Sequence, residues 1–390
     1  MNIRATISTN SDTEAAVDEV CQGAVGMAPD LVLLFASHHH AEEIESLVPV
    51  LWERIGPRNL IGCLADGVIG PSHEVERAPA MALWAAKMPG VRVLPFILDQ
   101  QDIERFESSE DWLDRIGIAP GEKPGFLVLP EPFSIDAERC LERLDELFPG
   151  CTIVGGLASG GTGPRQNRIF LDDQVLRQGL AGVSLCGPVS ICPVVSQGCR
   201  PVGEPFVVTK AEQYVIQELR GKPAMEVLRD VFSNADPADR ALMQKGIHVG
   251  RVVDERLHNF GRGDFLIRNL MGVVGETGLA INSLVRPGQT IQFHVRDSKT
   301  ATEEMRSLLA GTVAGMTPPP AGGLLFTCNG RGAGMFGAPD HDIRLVNSVT
   351  KGCPIAGFFA QGEIGPIGHK TFIHGFSSSL VLFHDASNSE

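Results

Sequence analysis

Cys328, Asn329, Arg331 and Gly332 close one apolar run, and Gln361, Gly362 and Glu363 close another. A guanidinium can clamp a carboxylate or phosphate, a carboxylate can hold an amine, and amide side chains both donate and accept. Asn329, Arg331, Gln361 and Glu363 would together suit a small zwitterion, with Gly332 and Gly362 letting backbone come close. Arg296 and His294 alternate with apolar residues, so they share one face of a strand, and Arg296 could enter the same pocket. Each group also has a structural reading. Arg331 and Glu363 could form an internal ion pair that fixes two loops, and Arg296 could pair with Asp297 or another acid. Cys328 is a reactive thiol if Arg331 lowers its pKa, and otherwise a buried one.

These residues must be positioned by a repeat. Gly62, Ala65, Gly67, Gly70 and Pro71 share their spacing with Gly155, Ala158, Gly160, Gly163 and Pro164, and with Gly357, Ala360, Gly362, Gly365 and Pro366. Fixed spacing of this kind marks one supersecondary unit used three times. Each copy opens on a short apolar run (31–35, 126–129, 324–326) that reads as a buried strand. A polar segment follows, then a helical stripe, then a second apolar strand running into the glycines. Ser134 is the expected cap of the second copy's helix and Asp340 of the third's. A crossover this long predicts parallel pairing. Ligands of open α/β sheets bind beyond the carboxyl ends of the strands, where the polar segments lie. Elsewhere, 99–123 predicts a surface helix near Trp112, and Pro223 should open a helix over 224–232. Asp297 or Ser298 should cap a helix that runs to Leu309. Residues 197–210, rich in glycine and proline, read as a crossing between two halves. The expected fold is α/β: repeated strand–helix–strand units forming mixed β-sheets flanked by helices, in two tightly packed halves.

Composition excludes several functions. The formal charge of −14 and the lack of a basic stripe argue against nucleic acid as a partner. No apolar run reaches the roughly 20 residues a membrane span needs, and the first residues lack the apolar core of a secretory signal. The nine cysteines are dispersed, which suits free thiols in a reducing cytoplasm. His38, His39 and His40 are adjacent and diverge, so they cannot share one metal ion without a special loop. Ser159, between Ala158 and Gly160, only echoes a nucleophile elbow.

Arg200 to Gly203, Gly221 to Ala224, Arg296 with Asp297, Cys328 to Gly332 and Gly362 to Pro366 occur in the order that resembles the FIST family. The resemblance places an N-terminal FIST-type domain at 30–220 and a C-terminal one at 221–370, with a closing strand and tail at 371–390. It implies a small-ligand sensory module of signal transduction, with amino acids as the ligand class, and not a catalyst. The expectation is a cytoplasmic, stand-alone sensor that binds an amino-acid-like metabolite and signals through a separate partner, such as a histidine kinase. Some members of the family bind haem, sense nitric oxide and regulate a histidine kinase; on that alternative His374 is the candidate axial ligand. An enzyme using Cys328 or Glu363 is the other alternative.

Overall fold

The computed structural model describes residues 1–257 and 259–386. The chain forms two compact units. The larger takes Met1–Val195, Met305–Ile373 and the chain from Ser378 onward; the smaller takes Ser196–Glu304 with His374–Ser377.

The larger unit holds three sheets, one for each copy of the repeat. In each, the two strands of the copy pair in parallel: Leu31–Ser37 with Leu60–Ala65, Gly125–Pro130 with Ile153–Gly156, and Gly322–Cys328 with Ile355–Ala360. A later strand flanks each pair antiparallel: Met81–Lys87, Leu180–Cys186 and Ser377–Asp385. The opposite edge is closed by another copy. After its glycine loop, copy one sends Gly67–Ile69 to copy three, where Val68 and Ile69 pair with Phe358 and Gly357. Copy three sends Glu363–Ile367 to copy two, where Glu363 pairs with Gly156. Copy two sends Ile169–Leu171 to copy one, where Ile169 pairs with Cys63. The exchange closes into a ring, so every sheet contains a strand from a neighbouring copy.

The first glycine of each copy has one physical cause. Gly62, Gly155 and Gly357 sit directly opposite Leu34, Val128 and Leu325 in the parallel ladders. A Cβ there would lie 2.0, 1.9 and 1.8 Å from the carbonyl oxygens of those three residues. No side chain fits so close to backbone, and only glycine permits the approach.

Both faces of the sheets are covered, which is why their strands read as continuous apolar runs. The inner faces merge into one core that includes Leu33, Leu129, Val154, Leu324 and Val381. Phe35, Phe326 and Phe358 meet there, with ring centroids 5.0 to 6.3 Å apart. The outer faces carry the helices: Thr13–Gln22 and Ile44–Ile55 on the first sheet, Ser109–Ile116 and Ala137–Leu147 on the second, His341–Thr350 on the third. Ala137–Leu147 buries Cys140, Leu141 and Leu144 on one stripe. Its cap is Asp136, whose carboxylate accepts from the Arg139 N–H at 3.0 Å, and not Ser134, which instead accepts from Gly179 N. The acidic stretch at 99–123 forms two short helices with capping boxes, and Trp112, on the second, is buried.

The smaller unit is an antiparallel sheet that closes on itself. Its order runs Cys199–Glu212, Thr290–Arg296, His248–Val252, Phe265–Val274, Gly278–Ile281 and Val215–Leu219, and the last strand pairs back to the first. The expected crossing at 197–210 is therefore mostly a long strand. Gly203 and Pro205 fall where the register slips between Val202 and Phe206, as a bulge requires. Helix Ala224–Asn234 packs Val227, Leu228 and Val231 against this sheet. Asp297 caps the helix Ser298–Ala314, accepting from Lys299 N and Thr300 N. His248 and His294 face each other across two strands, and burial pushes both down to about 4.

Candidate functional site

Among the described residues Arg331 is the largest fully buried charged side chain, at 1% exposure. It turns inward just after the strand Gly322–Cys328 and meets Asp342 from the first turn of helix His341–Thr350. The contact is bidentate: Nε donates to Oδ2 at 2.7 Å and Nη2 to Oδ1 at 2.9 Å. Thr327 Oγ1 donates to the same carboxylate at 3.1 Å, and His341 Nδ1 lies 2.9 Å from it. Phe336 covers the guanidinium, 5.1 Å from ring centroid to Cζ, and stacks on His341 at 3.5 Å. Burial acts to raise the Asp342 pKa, but Arg331 and the donors around it hold that carboxyl well below the usual range. The internal partner of Arg331 is thus Asp342, and the Arg331–Glu363 bridge expected as the alternative is replaced by it. The third nitrogen, Nη1, has no hydrogen-bond partner among the described residues. The charges of Cys328 and Glu363 reach the guanidinium and help keep it protonated.

Copy one contributes to this cluster through its donated hairpin, whose second strand is Glu74–Glu76. Glu74 is buried, accepts from Ile343 N at 2.7 Å through Oε1, and leaves Oε2 without a partner among the described residues. Burial, then the charge of Asp342, pushes its pKa up to about 8. Asp340, expected as a helix cap, instead accepts from the Glu74 N–H at 2.8 Å. Glu76 accepts from Ala333 N at 2.8 Å and lies against Gly332, where a Cβ would sit 2.4 Å from its Oε1. A carboxyl protonated more readily in the folded than in the unfolded chain favours folding at low pH. The contribution of Glu74 is complete below its ordinary value of 4.5 and is lost as pH rises through about 8. Glu74→Gln should remove it. In urea unfolding at pH 5 and pH 8, the variant's stability relative to wild type should rise by about 1.4 kcal/mol per pH unit at most across that window.

The three glycine loops meet beside this cluster. Ser159 is buried and joins all three copies: it accepts from the Asp66 N–H at 2.9 Å and donates to the Phe359 carbonyl. Leu64 O accepts from Ser159 N and Gly160 N, Gly362 O accepts from Leu157 N at 2.9 Å, and Leu157 O accepts from Gln361 N at 3.2 Å. With its amide turned so that nitrogen and oxygen exchange places, the Asn329 side chain donates to Phe359 O at 2.7 Å and Ala360 O at 3.2 Å. Ser159 and Asn329 therefore converge on one carbonyl. Gln361 and Asn329 are exposed, Asp66 and Cys328 half-buried, and Glu363 fully buried. Gly330 N–H points at Cys328 Sγ from 3.4 Å. Ser159→Ala removes both hydroxyl bonds and should cost about 1–3 kcal/mol, read as a lower urea midpoint at unchanged m-value.

The structure brings together Cys328, Asn329, Arg331, Gly332, Gln361, Gly362 and Glu363 in the larger unit. Arg296 belongs to the smaller unit, where its guanidinium lies over the Phe376 ring at 5.2 Å. Its expected partner Asp297 is held by Arg200 instead, at 2.7 Å. His374 is buried at 3% exposure and is already engaged by neighbouring groups. Among the described residues no three metal-ligating side chains cluster, and no helix is long and apolar enough to cross a membrane. Glu74, Asp342 and Asp66 escaped the sequence reading, and Ser159 entered it only as an echo of a nucleophile elbow. Only Asp66 and Ser159 carried a signal, as the variable position between the alanine and the second glycine of a repeat.

Residues 30–222 match the FIST N domain and residues 224–366 the FIST C domain. The chain belongs to the FIST family. FIST domains are small-ligand sensory modules of signalling proteins, not enzymes. An uncharacterized protein of Mycobacterium tuberculosis is 39% identical over 396 residues, covering 99% of this chain and 100% of its own. An uncharacterized protein of Mycobacterium bovis is 38% identical over 390 residues, covering 99% of each. Among solved structures, a cyanuric acid hydrolase from A. caulinodans aligns over 99% of both chains at 10% identity, with a TM-score of 0.33.

Proposed function

We propose that this FIST protein is a cytoplasmic sensor of an amino-acid-like metabolite, bound where the strands of copy three end, and that it reports occupancy to a separate signalling protein. The observation that carries this reading is the unmatched Nη1 of Arg331. A buried donor without a partner costs about 1–3 kcal/mol, and a ligand carboxylate reaching it would recover that cost. Asn329 and Gln361 come to the surface above the buried charges of Arg331 and Glu363, so amide groups meet the solvent where a polar ligand would enter. Cys328, Gly332 and Gly362 supply backbone and thiol around the same point.

The test is calorimetric titration of the protein with the twenty common amino acids, repeated on Gln361→Ala. Binding by the wild type that weakens at least tenfold in the variant, with an unchanged melting temperature, supports the reading. No binding by any of the twenty, or binding that ignores Gln361, overturns it.

A further inference from the structure

We infer that the ligand site is a composite of all three copies and that Asp66 of copy one, rather than Glu363, anchors the ligand's ammonium group. This rests on the proposed site and names the chemistry of its cationic end. The carbonyl of Phe359 is the hub: Ser159 and Asn329 both donate to it, and the Asp66 N–H donates to Ser159. Asp66, Ser159 and Gln361 hold the same place in their copies, between the alanine and the second glycine. One exchanged loop from each copy is thus tied to the other two through Ser159 and the Phe359 carbonyl. The repeat keeps the spacing the same, and the three positions are a carboxylate, a hydroxyl and an amide.

The roles differ by accessibility. Ser159 is buried and spent on pinning the loops. Gln361 is exposed, and Asp66 is half-buried. The Asp66 carboxylate makes no hydrogen bond or ion pair among the described residues, since its structural bond is made by the backbone N–H. Its charge reaches His39, where burial and His38 oppose it. Glu363, by contrast, is fully buried within the field of Arg331. An ammonium group approaching from solvent meets Asp66 first, and a carboxylate already facing a guanidinium gains little from a second cation.

The experiment uses the full chain and the amino acid that binds best in the calorimetric panel. It adds that ligand's des-amino carboxylic acid, and it compares wild type, Asp66→Asn and Gln361→Ala. The inference expects the amino acid to bind Asp66→Asn at least tenfold more weakly. It expects the des-amino acid to bind wild type at least tenfold more weakly, with no further loss in Asp66→Asn. Equal affinity of Asp66→Asn and wild type for the amino acid, with Gln361→Ala still impaired, overturns the role of Asp66 and leaves the copy-three site standing. Absence of any binder for the wild type overturns both. Should Asp66→Asn fail to fold, the wild-type comparison decides alone: equal binding of the two ligands rules out an ammonium anchor.

Discussion

Alanine at Gly62, Gly155 or Gly357 should each leave the larger unit unable to fold. The added Cβ would sit within about 2 Å of a carbonyl oxygen in the adjacent parallel strand. That oxygen is backbone, held in a ladder with strands on both sides, so it cannot turn away as a side-chain end would. Separating the strands would break the pairing at that point and open the core where Phe35, Phe326 and Phe358 meet. The expected loss exceeds about 4 kcal/mol, a size reserved for a named steric or cavity defect. The readout is soluble yield and the near-ultraviolet dichroism of the aromatic core. Gly334→Ala is the control. It has open space around its Cβ position, and its effect should stay within about 1 kcal/mol. A folded, cooperative Gly357→Ala protein would show that the ladders can shift.

Asp342→Ala should be the most damaging substitution of a polar side chain. It leaves Arg331 buried, charged and stripped of both bonds to its carboxylate, and it strands Thr327 and His341. Removing one partner of a buried ion pair costs about 3–5 kcal/mol, because the remaining charge is uncompensated. The same principle predicts the rescue. Arg331→Met combined with Asp342→Leu removes both charges and should recover much of that loss. Urea unfolding of the two single variants and the double variant measures the coupling directly. Strict additivity would mean that the pair does not act as a unit. The rescued protein also separates stability from binding, since it lacks the Nη1 donor on which the proposed ligand contact depends.

The repeat was legible because its glycines encode a steric contact. Close passage of two strands leaves a mark at a fixed offset in each copy, and fixed offsets are readable. The apolar runs were legible for a similar reason, since strands covered on both faces cannot alternate. The exchange of hairpins was not. Spacing along the chain carries no information about which sheet receives the strand after Gly67, Gly160 or Gly362. The partner of Arg331 was hidden by the same limit. Glu363 looked the better acid because it follows the neighbouring strand, while Asp342 reaches Arg331 only because its helix folds back over the strand end. Ser159 resembled a failed catalytic motif, yet its value lies in the two loops it touches, which come from opposite ends of the sequence. At 197–210, glycine and proline signalled a break that the fold uses as a bulge inside a strand.

The ring of exchanged hairpins bears on how the chain is made. Val68 and Ile69 leave the ribosome long before their partners Phe358 and Gly357. At ordinary elongation rates of 5–20 residues per second, the wait is on the order of tens of seconds. During that time an apolar strand has an open edge, a template for pairing with another nascent chain. A neighbouring chain's third copy could accept that strand as readily as its own. High expression should therefore favour intermolecular assemblies linked by the Gly67–Ile69 arm, and slower or cooler synthesis should favour the closed ring.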